Sequence, residues 1–174
     1  MGQFGLWTTR IGECNHGIFT SMSFENLAPT WTDQPLTDPA VTADVVDLMV
    51  SRGDRRRGTL TVLICDPDDH YVATMTIELP PNCIPSRADP TSASPAELCG
   101  TALHPVIPAV HTAPGTGLVL TLGRPGPARL PDLDNQWAQA AIAICHAAGI
   151  RLLGFYIATK DDIYRSDLTV QAAA

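Results

Sequence analysis

Two neighbouring segments with different hydrophobic patterns constrain the fold of this chain more than any other feature. Residues 60–65 form a nearly continuous apolar run, which is typical of a strand buried on both faces. The sequence Asp66-Pro67-Asp68-Asp69 favours a turn, because proline fixes φ and aspartate bonds the local backbone. Residues 71–79 then alternate apolar and polar side chains, as a half-exposed strand does. The sequence therefore predicts a β-hairpin with one buried and one half-exposed strand.

Three helices are predicted from capping residues and apolar spacing. The first begins near Asp38, which can cap it, and ends before Gly53, which suits the left-handed position after a helix. The second opens with the capping box at Ser94 and cannot pass Pro105 undisturbed. The third spans about residues 134–148.

Further strands are predicted at residues 117–122, at residues 150–158 and in the short segment IYRSDL. Residues 105–117 between the second helix and the third strand are expected to be irregular. The order of elements indicates an α/β (α+β) fold, a mixed sheet with helices packed on it. We expect the hairpin strands and the next two strands to share one sheet. The third helix should pack on that sheet through four side chains at helical spacing: Trp137, Ala141, Ile144 and Ala148.

The length of 174 residues is typical of one domain. Residues 1–36 are expected to be a partly ordered arm, because they carry several aromatic residues among Gly, Asn, Thr and Pro. Residues 37–168 are predicted to form the single domain, and residues 169–174 a tail.

The charge of the chain limits its partners. A net charge of −7 disfavours general nucleic-acid binding, because acidic surfaces repel phosphate. No apolar run is long enough to span a bilayer, and the first residues do not have the pattern of a secretory signal. We therefore expect no membrane association and a cytoplasmic location. The arginines of SRGDRRRG, at 52 and 55–57, are interpreted as a solvated helix end.

The cysteines are scattered and odd in number, and no C-x-x-C pair occurs. Several lie in apolar segments, where a free thiol behaves as a small hydrophobic side chain. All five are therefore expected to be free thiols: Cys14, Cys65, Cys83, Cys99 and Cys145.

The stretch LVLTLGRPGPARLPDLDNQW, residues 118–137, passes from an apolar strand through a proline- and glycine-rich loop to acidic residues that open a helix. Loops of this shape often hold a metal or an anion. Residues 118–131 nevertheless contain no His, Cys, Asp or Glu. The shape of an active-site loop is thus present without the usual ligands.

This order of elements, with a long loop between the third strand and the third helix, resembles the JAB/MPN (JAMM) metalloprotease-like fold, a cytidine-deaminase-like layered architecture. The RadC-like branch is the most similar, through TLTVLICDPDDHYVATMTIE and AAGIRLLGFYIATKDDIYRS. The likeness spans about residues 36–167. In that family two histidines and an aspartate bind zinc, a glutamate acts as base on a zinc-bound water, and a serine supports the transition state.

Aligned without gaps, the family's two histidine positions fall on Thr121 and Gly123, and its serine falls on Pro131. The aspartate corresponds to Asp134, and the glutamate position falls near Met75. The resemblance therefore implies a vestigial site without zinc, because catalytic zinc needs three strong ligands. Asp134 is expected to serve instead as a helix cap or first-turn acid.

The leading hypothesis is a non-catalytic binding or scaffolding module without a cofactor, which contacts a protein partner or a second copy of itself as a homodimer. The enzyme question stays open, with the missing zinc ligands weighing against catalysis. One alternative is a hydrolase with a relocated metal site at Cys14 and His16 in GECNHG. Another is a loop that binds a small anion through Arg124 and Arg129.

Overall fold

A computed structural model of the chain describes residue 25, residues 27–81 and residues 92–167. Its helices are α1 (Pro39–Met49), α2 (Arg52–Arg57), α3 (Pro95–Leu103), α4 (Val106–His111) and α5 (Pro131–Ala147). Its strands are β1 (Thr59–Cys65), β2 (Tyr71–Glu78), β3 (Gly117–Gly123), β4 (Arg151–Ala158) and β5 (Ile163–Arg165). A short 3-10 turn, Trp31–Asp33, precedes α1. The alternative metal site at Cys14 and His16 lies outside the described residues.

The strands form one five-stranded mixed sheet in the order β2-β1-β3-β4-β5. β1 runs antiparallel to both β2 and β3, β3 runs parallel to β4, and β4 runs antiparallel to β5. The predicted mixed sheet with helices is therefore confirmed, as is the prediction that the hairpin shares a sheet with the third and fourth strands.

The sheet has a hydrophobic cluster on each face. On the face that we call the α5 face, alternate residues of β3 such as Leu120 join a cluster with Trp137 of α5 and with residues of α3. On the opposite face, the α1 face, Val119 joins a cluster with Val45 and Val46 of α1. Because successive side chains of a strand point to opposite faces, each residue of β3 is assigned to one of these two layers.

The helix starts follow the predicted capping chemistry. The Asp38 side chain accepts a hydrogen bond from the Ala40 amide at 2.8 Å, with a proline at the first helical position. Ser94 forms the predicted capping box at the start of α3. Gly53 does not end the first helix, and this prediction is wrong. α1 stops at Met49, and a second capping box, between Ser51 and Asp54, starts α2 around the glycine.

Two further boundaries differ from the prediction. α5 begins at Pro131, three residues before the predicted start, because proline fits the first helical position without losing a hydrogen bond. The connection expected to be irregular contains α4. The predicted packing of α5 is confirmed, because Trp137 and Ala141 are buried in the core and Ile144 and Ala148 pack against it.

Arg55 is buried rather than solvated, contrary to the interpretation of the arginine cluster. Its guanidinium forms an ion pair with Asp47 at 2.7 Å and donates to the carbonyls of Val50 and Thr159. The described cysteines, Cys65, Cys99 and Cys145, are buried and unpaired. Within the described ranges, the helices are too short or too polar to cross a membrane.

Candidate functional site

The loop that follows β3 is organised around one buried arginine. Arg124 comes directly after the strand, and its backbone N–H donates to the carbonyl of Ala158 in β4 at 3.0 Å. Its side chain is fully buried. Nε donates to Oδ1 of Asp134 and Nη2 donates to Oδ2, both at 2.7 Å. This two-point pairing matches the planar fork of a guanidinium to a carboxylate, a geometry that lysine cannot reproduce.

The remaining guanidinium N–H groups bind the loop itself. Nη1 of Arg124 donates to the carbonyls of Pro127 at 2.7 Å and Pro125 at 3.3 Å, and Nη2 also donates to Ala128 at 3.4 Å. The five N–H groups of the side chain thus all have acceptors. The loop wraps around the guanidinium, which donates hydrogen bonds to the loop carbonyls. Arg124 therefore has no N–H group left for an external anion.

Asp134 is equally occupied. Its Oδ2 accepts from the Leu130 amide at 2.9 Å and from the hydroxyl of Tyr164, in addition to Arg124. The residue is 3% exposed. Burial and the hydrogen bond to the Asp134 carboxylate raise the pKa of Tyr164, which keeps the phenol a proton donor. Asp134 is therefore a first-turn acid of α5 that holds Arg124, Tyr164 and the start of its own helix together.

A cavity of about 300 Å³ opens beside this cluster, between the start of α5 and β5. Arg129 lines it, with its guanidinium carbon 4.1 Å from the centre of the Tyr164 ring and Nη2 3.4 Å from Asp162. The Arg129 side chain is 62% exposed. Of the two arginines in the anion-binding alternative, Arg129 is therefore the one that can reach a ligand in solution.

Two of the positions aligned with zinc ligands, Thr121 and Gly123, lie on the α1 face of the sheet, away from Asp134. A Cβ atom at Gly123 would stand 2.9 Å from Oγ1 of Thr59 and 3.2 Å from Cγ1 of Val50, on the α1 face. Thr121 lies two residues earlier in β3 and shares that face. Its hydroxyl is buried and has no hydrogen-bond partner among the described residues.

The other three positions lie on the opposite side of the sheet. Met75 pairs with Val62, whose side chain is in the α5-face cluster, and is 40% exposed at the edge of the sheet. Pro131 and Asp134 line the cavity beside Arg129. The structure thus brings Pro131 and Asp134 together but separates them from Thr121 and Gly123 by the sheet.

These residues do not fit a zinc ion. Both oxygens of Asp134 accept hydrogen bonds inside a buried ion pair, the threonine offers one neutral oxygen, and the glycine offers no side chain. A zinc ion would also have to displace the guanidinium of Arg124, because two cations cannot share this carboxylate at low cost. The loop therefore lacks the ligands that zinc chemistry requires.

In the described part of the chain, a group of potential metal ligands occurs in the turn between β1 and β2. The ligand atoms of Asp66, Asp68 and His70 lie within 4.8 Å of one another. Oδ1 of Asp66 accepts from the backbone amides of Asp68 and His70, each at 2.9 Å, as aspartate does in tight turns. The backbone hydrogen bond from His70 lowers the pKa of Asp66. These contacts account for the residues as turn structure.

The cluster of Arg124, Asp134 and Tyr164 was not predicted as a unit. Asp134 was expected as a first-turn acid, but the sequence gives no sign that its partner is the arginine ten residues earlier. Tyr164 lies thirty residues further on, in a short strand. The sequence feature that could have indicated this cluster is a proline-rich loop that contains an arginine and ends at an aspartate.

Comparison of the chain with protein-family models finds no match, and comparison with curated proteins finds no matching relative.

Proposed function

We propose that this chain is a non-catalytic binding or scaffolding module, built on a degenerate JAB/MPN-like fold of the RadC-like type. The order of elements supports the proposal: a helical segment, the β1–β2 hairpin, a second helical segment, β3, a loop, α5, β4 and β5. The resemblance rests on the same order.

The observation that carries the proposal is the buried ion pair between Arg124 and Asp134. Asp134 stands where the resemblance places a metal-binding aspartate, and a guanidinium lies in contact with both of its oxygens. The permanent charge of an arginine serves to neutralise the acid. An aspartate held in this way stabilises the loop and is not available to a catalytic metal.

The surrounding chemistry supports the same conclusion. The base of the family has no counterpart, because Met75 cannot accept a proton and lies on an edge strand. Pro131 has no N–H or hydroxyl to offer to a transition state. In this proposal the loop is a rigid structural element, and the function of the protein lies in what its surface binds.

The proposed partner is another protein or a second copy of the chain, without a cofactor. The acidic charge of −7 disfavours phosphate-rich partners. Unpaired buried thiols at Cys65, Cys99 and Cys145 support the cytoplasm as the proposed location, because that compartment is reducing.

Zinc content tests the proposal. After purification and dialysis, we expect well below one zinc per chain by mass spectrometry and no increase in Tm on adding zinc, because a ligand stabilises only the state it binds. Near-stoichiometric zinc that is lost in Asp134→Ala would contradict the proposal. Zinc that is lost in Cys14→Ser or His16→Ala would instead favour the relocated hydrolase site.

Anion binding tests the remaining alternative. Isothermal titration calorimetry with inorganic phosphate should show no saturable binding at Arg129. Saturable binding in the wild type that is abolished by Arg129→Gln would favour the anion-binding loop over the binding module.

A further inference from the structure

Within the described residues, the outer edge of β2 is an open side of the sheet. β2 is the terminal strand and pairs along one side with β1. Near its start the chain crosses this edge, where Pro35 forms a single bridge with His70. From Val72 to Glu78, the described residues include no strand that pairs with the outer side of β2. The backbone N–H and C=O groups that point outward are a template for another strand.

β2 lacks most of the features that usually protect an edge strand. Residues 71–77 contain no charged residue and no proline, and the first charge is Glu78 at the end of the strand. Val72 is 60% exposed and Met75 is 40% exposed. Among the described residues, the exposed large hydrophobic side chains are these two and Leu48 of α1. Natural edge strands usually carry lysine, proline or an inward-pointing charge to prevent pairing.

The two sides of the edge strand differ in polarity. Ala73, Met75 and Ile77 pair with Ile64, Val62 and Leu60 of β1, so they share the α5 face. Thr74 and Thr76 point to the α1 face. The edge therefore presents a short apolar stripe along one face and hydroxyl groups along the other.

We propose that the β2 edge pairs antiparallel with β2 of a second copy of this chain, so that two five-stranded sheets become one continuous sheet. This inference rests on the proposed binding function and assigns a surface to it.

The two faces of the strand determine the register of this pairing. In an antiparallel pair, residues that lie opposite each other point to the same face. Each apolar residue must therefore oppose an apolar residue of the second copy. Centring the two-fold axis on Met75 satisfies this condition along the whole stripe, because Ala73 then lies opposite Ile77 and Thr74 lies opposite Thr76 of the second copy.

Charge does not oppose a second copy at this edge. A chain with a net charge of −7 repels its own copy over most of its surface, whereas residues 71–77 carry no charge. In the register centred on Met75, Glu78 lies opposite Val72 of the second copy rather than opposite Glu78. The carboxylate also has Arg57 of its own chain at 3.5 Å. Like charges therefore do not meet in the paired strands.

The test measures self-association of the full chain and of two lysine variants by sedimentation velocity over a range of concentrations. The wild type should dimerise. Met75→Lys should associate at least about tenfold more weakly, because a lysine on an edge strand opposes pairing. Leu48→Lys is the matched control, since Leu48 is 41% exposed and lies on α1; it should dimerise like the wild type. Circular dichroism and Tm confirm that each variant folds.

A cysteine variant keeps the inference testable if Met75→Lys does not fold. In the proposed register two copies of Met75→Cys face each other, so an added oxidant should form a disulfide-linked dimer. Leu48→Cys should give none above the wild-type background. The Met75→Cys disulfide should also form in dilute solution, where random collisions between chains are rare.

Three results would overturn the inference: a wild-type chain that stays monomeric, a Met75→Lys variant that dimerises like the wild type, or a Met75→Cys variant that forms no linked dimer. A dimer that survives Met75→Lys rejects this surface and leaves the binding function standing. Stoichiometric zinc held by Asp134 rejects the proposed function and says nothing against the edge. The two failures are thus distinguishable.

Discussion

The loop after β3 and the outer edge of β2 differ in whether their polar groups have partners within the described chain. In the loop, Arg124 binds three carbonyls and a carboxylate of its own chain, and Asp134 accepts four hydrogen bonds, two from Arg124 and one each from Leu130 and Tyr164. Along β2 from Val72 onward, the outward backbone groups face no other strand of the described chain. The region shaped like an active site is therefore closed, and the interaction that we propose lies at the sheet edge. The following variants break or sharpen this contrast.

The largest effect is expected for Arg124→Met. The variant leaves Asp134 buried without its cation, and breaking a buried ion pair by removing one partner costs about 3–5 kcal/mol. The free energy of unfolding, measured in urea, should fall by that order. Arg129→Met is the control, because the same substitution at an exposed arginine should change stability by about 0.5 kcal/mol or less. Equal losses of stability in both variants would show that the buried ion pair of Arg124 stabilises the fold no more than an exposed arginine does.

Tyr164→Phe removes one hydroxyl from the same cluster. A hydrogen bond to a charged group contributes about 1.5–3 kcal/mol, and we expect a loss in that range. The raised pKa of Tyr164 means that the unfolded chain releases this proton first, so stability should fall as the pH rises above the ordinary tyrosine pKa of 10.0. This alkaline loss should be shallower in Tyr164→Phe than in the wild type. Identical alkaline slopes in urea unfolding would contradict the assignment.

Gly123→Ala tests whether the end of β3 is tightly packed on the α1 face. Its Cβ would lie 2.9 Å from Oγ1 of Thr59, and overpacking of this kind costs about 1–3 kcal/mol. Thr121→Val should be within about 1 kcal/mol of the wild type, because the buried hydroxyl that it removes has no described partner. Thermal unfolding of both variants checks the pair. A large loss in Thr121→Val would reveal a polar contact at that position.

The smallest effect on the folded monomer is expected for Met75→Lys. The side chain is exposed at the sheet edge, so its replacement should change monomer stability by about 0.5 kcal/mol or less. Urea unfolding at low protein concentration, where association is absent, measures this quantity. A loss as large as that of Arg124→Met would mean that the edge is part of the closed structure.

Much of the framework was predictable from local chemistry. Residues 60–65 and 71–79 show the hairpin by their hydrophobic pattern, and Asp38 and Ser94 mark helix starts through their side-chain oxygens. These signals work because each one depends on neighbours in sequence. The expected C-terminal role of Gly53 was wrong because the capping box of Ser51 and Asp54 starts a new helix that contains the glycine.

The cluster at the loop could not be assembled in the same way. An arginine among prolines and glycines is usually exposed, and the burial of Arg124 depends on Asp134 and on Tyr164 from a distant strand. Alternation along β3 separates Thr121 from Leu120, but the sequence does not state which helix covers which face. The position of Asp134 at a helix start was therefore predictable, and its partners were not.

The hydrogen bond from Arg55 to the carbonyl of Thr159 links residues 104 positions apart at 3.2 Å. Closing a loop of that length has an entropic cost that must be met before the contact can form. We therefore expect the burial of Arg55 to be completed late in folding, after the end of β4 has reached α2. We expect Arg55→Met to accelerate unfolding while leaving the refolding rate nearly unchanged, a division that stopped-flow kinetics resolves. If refolding slows instead, the contact between α2 and the end of β4 is already formed in the transition state for folding.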